Sequence, residues 1–376
     1  MNICIVLSKI FLACLLAGIY TNSILSVRIK DIAKLAGVSS GTVDRVIHNR
    51  GEVSEETRKK VQSILNKSDY HPDIVARALT SKKTYLFSVI MPVSADGTDF
   101  WNAPNGGIDR AIQEVDRFNV KIKRYLFNQF DRDSFAAKAF DLLADHPDGI
   151  LFAPVFLDDS LKFIRECQLR KIPVALFNSN IEEAGVNSYI GQDAEQSGYL
   201  AGRLLHFGLK TPADVLIINL AARKDNYNHV ILRENGFRKY FEEHPDPGIR
   251  LHTVDTNHTA VEKLVEELDR SFAQLQVKGI FVSNSRVYKV AGYLKSNNIM
   301  GVHLLGYDLL PANVAALKEG FITFLISQRS AEQAYKGIMT LFNLIVLRNS
   351  VDPVQHMPIE IINKDNIDYY DNKYKL

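Results

Sequence analysis

Two regimes of hydrophobic patterning divide the chain. From Tyr85 onward, short near-continuous apolar runs alternate with amphipathic stretches of helical length. The runs are "YLFSVIMP", "VKIKRYLF", "DGILFAP", "KIPVALFN", "DVLIINL", "IRLHTVDT", "KGIFVSN", "VHLLGYD" and "FITFLISQ". Between them, residues 136–144, 160–170 and 261–275 are examples of helical segments. Apolar strands alternating with helices predict parallel sheets covered on both faces. Nine such runs exceed what one open sheet usually holds, so the pattern predicts an α/β body of two doubly wound parallel-sheet subdomains.

Residues 27–84 contain no strand-like run and instead predict a small all-α module. "IKDIAKLA" places Ile29, Ile32, Ala33 and Ala36 on one helical face, and Gly37 supplies a turn. Ser39 or Ser40 can cap a second helix, "GTVDRVIHN", whose Val43, Val46 and Ile47 face inward; Asn49 and Gly51 end it. Ser54 caps a third helix, with Glu55 and Glu56 in its first turn and Val61, Ile64 and Leu65 on its buried face. Pro72 starts a short fourth helix in "YHPDIVARALTSKKT".

Charge sharpens this division. Residues 27–84 carry twelve Lys and Arg against seven Asp and Glu, a local +5 in a chain of net +2, so the remainder is mildly acidic. A basic module ahead of an acidic body suits nucleic-acid contact. The three cysteines are Cys4, Cys14 and Cys167, which leaves one thiol in the body and no disulfide framework or zinc spacing. No catalytic constellation is present: G-x-S-x-G, H-E-x-x-H and a P-loop are all missing, and "PNGGID" lacks the dinucleotide fingerprint. His48 and His71 read as packing or phosphate-contact residues. The expectation is a protein that is not an enzyme and has no cofactor and no metal.

Two helices joined by a tight glycine turn form a helix-turn-helix, whose second helix enters the DNA major groove. The whole stretch "IKDIAKLAGVSSGTVDRVIHNRGEVSEETRKKVQSILNKSDYHPDIVARALTSKKT", with its hinge motif P-x-x-x-A-R-x-L, closely resembles the DNA-binding headpiece of the LacI/GalR family of bacterial transcription regulators. The resemblance implies that Ser40, Gly41 and Arg45 face base edges and that Thr42 and Asn49 contact phosphate. Arg45 is the side chain best suited to bidentate reading of guanine. Asp44 stands where the family more often has a small polar residue; it reads either as a phosphate-repelling departure or as a helix-surface charge paired with Lys or Arg. Residues 72–81 resemble the hinge helix, in which Ala76 allows two helices to approach and Leu79 wedges into the minor groove. Leu79 as plain linker packing fits the sequence too.

The body resembles the type I periplasmic sugar-binding fold that serves this family as its effector domain, in its ribose-binding form. The resemblance implies a sugar pocket from residues at strand ends, where open α/β sheets bind ligands. These are Phe100 and Trp101 of "DFWN", Asn178 where relatives often carry Asp, Arg233 of "R-x-x-G-F", Asn284, Asp308 and Gln328. Such polar groups between aromatic walls suit sugar hydroxyls. Each also has a duller reading, since strand-end Asn and Asp cap helices and fix turns, and Trp101 fits a core.

The expected organisation is an apolar leader at 1–26, the helix-turn-helix at 27–71, a hinge helix and linker at 72–84 and an effector domain at 85–376. Within the last, an N-subdomain takes about 85–187 plus 328–348 and a C-subdomain about 188–327 plus 349–376. The leader matches a signal peptide in length, but its positive charge is weak and "TNSILS" offers no A-x-A site. Lys9 leaves residues 10–20 as the clean apolar run, short of the roughly 20 residues that span a bilayer. The leader therefore reads as upstream sequence assigned by a wrong start codon, with Val27 as the true beginning. The functional expectation is a cytoplasmic, sugar-responsive repressor, a homodimer on a pseudo-palindromic operator, without membrane contact. The rival is an exported or membrane-tethered sugar-binding protein, if the leader is real. The tail "IDYYDNKYKL" lacks the leucine heptads of a tetramerising coiled coil.

Overall fold

The computed structural model describes residues 29–47, 50–68, 75, 78–79, 83–94, 100–220, 228–256 and 261–372. The chain divides into two units, residues 1–76 and 77–376. The leader, His48, Asn49, His71, Pro72 and Ala76 lie outside the described residues.

The first unit contains α1 (Ile29–Ala36), α2 (Ser40–Ile47) and α3 (Glu55–Lys67). Gly37 adopts φ +69°, a left-handed conformation that lets α1 stop abruptly. Val38 N–H then bonds Ala33 O and Gly37 N–H bonds Lys34 O, the paired closure of a helix ending in glycine. The α2 cap is Ser39, whose Oγ accepts from Thr42 N–H at 3.1 Å. Ser54 caps α3 through Thr57 N–H at 3.3 Å. Ile32, Ala33, Ala36, Val43, Val46 and Val61 form the buried core, with Ile64 and Leu65 packed against it.

In the second unit, one sheet runs in the order β11-β5-β4-β3-β1-β2 and the other β12-β10-β9-β8-β6-β7. The first comprises β1 (Tyr85–Pro92), β2 (Val120–Phe127), β3 (Gly149–Phe152), β4 (Val174–Phe177), β5 (Ser188–Gly191) and β11 (Val354–His356). The second comprises β6 (Ala213–Leu220), β7 (Ile249–Thr256), β8 (Val277–Val282), β9 (His303–Tyr307), β10 (Phe324–Ser327) and β12 (Glu360–Ile362). All pairings are parallel except β12 on β10. Each sheet reverses its strand order once, between β1 and β3 and between β6 and β8, which is where such sheets bind ligands.

The nine runs read from the sequence are all strands, and β5, β11 and β12 are additional. β11 and β12 have three residues each, too short for a period to declare itself, and β5, with the sequence SYIG, offers no continuous apolar run. They also move the expected subdomain boundaries. Residues 188–191 pair with β4 and 354–356 with β5, so both belong to the N-subdomain sheet rather than to the C-subdomain. The chain thus crosses between subdomains after β5, after β10 and between β11 and β12.

The helices of this unit are α4 (Asn102–Val115), α5 (Arg132–Ala144), α6 (Leu157–Leu169), α7 (Ala194–Gly208), α8 (Asn228–Glu243), α9 (Val261–Gln274), α10 (Val287–Ser296), α11 (Pro311–Lys318), α12 (Ser330–Ile345) and α13 (Ile367–Asn372). Helix α12 follows a C-subdomain strand but packs on α4 and the N-subdomain sheet. Helices α7 and α8 approach so closely that a Cβ at Gly198 would sit 1.9 Å from Arg233 O, and one at Gly236 1.9 Å from Glu195 O. Among the described residues, no helix is long and apolar enough to cross a membrane.

Candidate functional site

The outward face of α2 is built by its own amphipathicity. Val43 and Val46 turn inward, which leaves Ser40, Gly41 and Arg45 exposed, with Gly41 and Arg45 one turn apart. The hydroxyl of Thr42, half-buried, lies 2.9 Å from Ser39 Oγ. A phosphate contact by Thr42 would therefore share this capping bond. Asp44 is half-buried on the same helix. Gly51, at φ +68°, turns the chain beyond α2. In the predicted hinge segment, Ala78 joins the N-subdomain core and Leu79 is 45% exposed.

Between the subdomains, α8 delivers Arg233 to a buried polar network. Arg233 is 2% exposed. Its Nη1 donates to Ser283 O (2.9 Å) and its Nη2 to Gln328 Oε1 (2.5 Å), while its guanidinium lies 3.7 Å from the centre of the Tyr307 ring. Gln328 Nε2 donates in turn to Asp308 Oδ2 at 2.8 Å. Burial raises the Asp308 carboxyl to about 6, against the opposing pull of Arg233 and the hydrogen bonds from Gln328. His229, one turn before Arg233, is pushed well below its usual value by burial and by the positive charges of Arg233 and Arg286, and so is neutral.

Asn178 and Asp308 occupy equivalent places. Each follows a strand, β4 or β9, at φ +69° or +70°, a conformation that favours Asn and Asp among non-glycine residues. Asn178 N–H bonds Ile190 O, and Asp308 N–H bonds Ile326 O, on the neighbouring strand in each case. Gln333 of α12 joins the end of β4 to the end of β10: its Oε1 accepts from Asn178 N–H (2.9 Å) and its Nε2 donates to Gln328 O (2.7 Å). Asn178 faces a cavity of about 500 Å³ shared with Gln192, Asn228 and His229. Phe100 and Asp308 line another, of about 560 Å³.

The structure thus brings together Arg233, Asp308 and Gln328, links Asn178 to them through Gln333 and puts Phe100 and Asp308 on the wall of one cavity. Trp101 and Asn284 take the duller alternative. Trp101 is buried edge-on against Phe100 and Phe177, with its indole N–H donating to Gln129. Asn284 uses its amide to bond Leu220 O and its oxygen to accept from Arg286 N–H, which fixes the turn after β8. Sequence reasoning missed Gln333, Tyr307 and Gln192. Each looks in the sequence like an ordinary helix, strand or loop position, and only the folded topology joins them. Among the described residues no group of His, Cys, Asp or Glu could hold a metal ion. Cys167 is buried and its thiol is pushed up to about 12, so it is unreactive.

Both parts of the chain are similar to known proteins. The profile of the lacI family of bacterial regulatory proteins matches residues 28–73, and that of a periplasmic binding protein domain matches residues 87–348. The HTH-type transcriptional regulator DegA of Bacillus subtilis (strain 168) is 30% identical over 219 residues, which cover 57% of this chain and 60% of DegA. The match therefore spans about three fifths of that relative's length. A crystal structure described as a LacI transcriptional regulator from Bacteroides fragilis superimposes with TM-score 0.71 at 29% identity, covering 77% of this chain and all of that one. GanP, a glucose-galactose binding protein from Geobacillus stearothermophilus, shares the fold at TM-score 0.66 and 22% identity, covering 76% and 99%.

Proposed function

The chain belongs to the lacI family of bacterial regulatory proteins, with a periplasmic-binding-protein domain behind its helix-turn-helix, and from that premise we propose that it is a sugar-responsive, sequence-specific DNA-binding regulator of carbohydrate utilisation. The observation that carries this reading is the capped α2 with Ser40, Gly41 and Arg45 exposed on one side, in a chain whose second unit holds two open α/β sheets and a buried network of Arg233, Asp308 and Gln328 at their strand ends. A binding protein that only captured sugar would have no use for the first of these sites. In this reading the protein works in the cytoplasm as a homodimer. Two helix-turn-helix units then demand a two-fold related operator. Leu79 wedges into the minor groove, with Ala76 at the pairing of the hinge helices. A sugar in the cleft changes how the two subdomains sit, and so changes the pairing that sets operator affinity; the linkage is reciprocal.

Selection from randomised duplexes by the protein without residues 1–26 tests the reading. The expected outcome is enrichment of a two-fold symmetric site; a pool that stays random contradicts it. N-terminal sequencing of the native protein separately tests the start at Val27, which an intact segment 1–26 would refute.

A further inference from the structure

The three crossovers between the subdomains meet at one buried side chain. Gln192 stands on the first crossover, between β5 and α7, and is 4% exposed. Its Nε2 donates to Ser327 O (2.8 Å), where β10 enters the second crossover, and to Pro358 O (2.7 Å) on the third. The two carbonyl partners fix the amide's orientation, because a flipped oxygen would face two oxygens. Backbone bonds join the crossovers in pairs, Met357 N–H to Gly191 O (2.8 Å) and β12 to β10. The Gln192 amide holds all three at once.

The terminal helix α13 reaches the same place through the side chain of Ser327. Tyr370 Oη lies 2.7 Å from Ser327 Oγ and donates to Glu360 Oε2 at 2.8 Å. A phenol has one proton, so the Ser327 hydroxyl is the donor to Tyr370. Arg329, on the second crossover, donates its Nε to Glu360 Oε2 (2.7 Å) and its Nη2 to Glu360 Oε1, a two-pronged pair. Arg329 also stands at φ +52°, a left-handed conformation that persists outside glycine where the surroundings over-determine it. Ser327, Arg329 and Tyr370 line the cavity of about 560 Å³, so this cluster and that cavity share a wall.

We propose that Gln192 and Tyr370 are the positioning residues of a lock on the three crossovers, closed at Ser327, that sets the resting arrangement of the two subdomains. Ser327 is the shared point, held by its carbonyl from Gln192 and by its hydroxyl from Tyr370. Crossovers bonded together at one level open together, and the subdomains turn about that common point. With the lock broken, each crossover opens by itself. A second step rests on the reading of the chain as a DNA-binding regulator. There the lock also sets the fraction of molecules arranged to grip an operator, and loosening it dilutes that fraction.

Amide hydrogen exchange on the full chain tests the lock without any ligand, in wild type, Gln192→Met, Tyr370→Phe and the double variant. Gln192→Met is expected to speed exchange about tenfold in peptides over all three crossovers, near residues 191–194, 327–330 and 356–360, while β1 and β8 keep their wild-type protection. Tyr370→Phe, which removes one hydroxyl and keeps the test open should Gln192→Met not fold, speeds the second and third crossovers and not the first. The double variant exchanges at the second crossover less than about twofold faster than Gln192→Met, because both changes break one lock. Exchange that rises around residue 192 alone, rises equally throughout the chain, or is unmoved by Tyr370→Phe overturns the proposal. Anisotropy on the selected operator then reads the second step, with Gln192→Met expected to bind at least about threefold more weakly than wild type. Freed crossovers with unchanged operator affinity refute that step alone. A wild type that binds no operator refutes the regulator reading and leaves the exchange result standing.

Discussion

Arg45 and Asp308 illustrate how much of the proposed function single side chains carry. Arg45 is exposed on α2, so its removal leaves the core of Val43, Val46 and Val61 untouched. Arg45→Ala is expected to weaken operator binding by about 1–3 kcal/mol and to relax selectivity at one guanine, with an unchanged thermal midpoint. Competition binding with single-base operator variants measures both effects. Leu79→Ala removes an exposed side chain and is expected to weaken operator binding with little change in stability; undiminished binding would sink the wedge assignment. Asp308 belongs to a different economy. Its carboxyl is held at about 6, above its ordinary 3.8, so the folded protein keeps a proton that the unfolded chain releases first. That preference stabilises the fold below the window of about pH 4–6 and is lost as pH rises through it. Asp308→Asn keeps an acceptor for Gln328 without the buried charge. It is expected to be more stable than wild type at neutral pH by roughly 1–3 kcal/mol, the advantage vanishing near about pH 4 in paired urea denaturation curves.

At the scale of elements, the motif R-x-x-G-F on α8 resolves into three separate jobs. Arg233 enters the polar network, Gly236 lets α8 touch the backbone of α7, and Phe237 stacks on Phe281 with ring centres 4.6 Å apart and planes 2° from parallel. The reciprocal contact at Gly198 means that α7 sets the position of Arg233. Gly198→Ala should force the two helices apart, at about 1–3 kcal/mol of stability, and weaken aldose binding even though Gly198 touches no ligand. Thermal melts and calorimetry on the one variant check both halves. The motif was visible in the sequence; its division of labour was not, because close approach of two backbones leaves no periodic trace. The long strands were legible for the opposite reason. β1, β2, β6 and β7 each run eight residues, whereas β5, β11 and β12 have four or fewer, and β11 and β12 pair with strands well before them in the chain.

Over the whole molecule, the sequence displays the order of parts more clearly than the joints between them. Spacing and caps alone marked out α1, α2 and α3, since Gly37, Ser39 and Ser54 act on their immediate neighbours. The cleft was legible only in part. Arg233, Asp308 and Gln328, each picked out in the sequence, meet in one hydrogen-bonded network, while Gln333 and Gln192 join segments separated by more than a hundred residues. Trp101 fell to the core because its ring is walled by Phe100 and Phe177, a packing that "DFWN" does not announce. The account as a whole stands on the claim that the first unit reads DNA sequence. Fluorescence anisotropy of the selected operator and of a shuffled duplex of equal composition, each titrated with protein at two salt concentrations, tests it most directly. The expected result is binding to the operator tighter by at least about 10³-fold, with affinities on both duplexes falling as salt rises. Equal affinity for the two duplexes, or no binding to either at low salt, contradicts it.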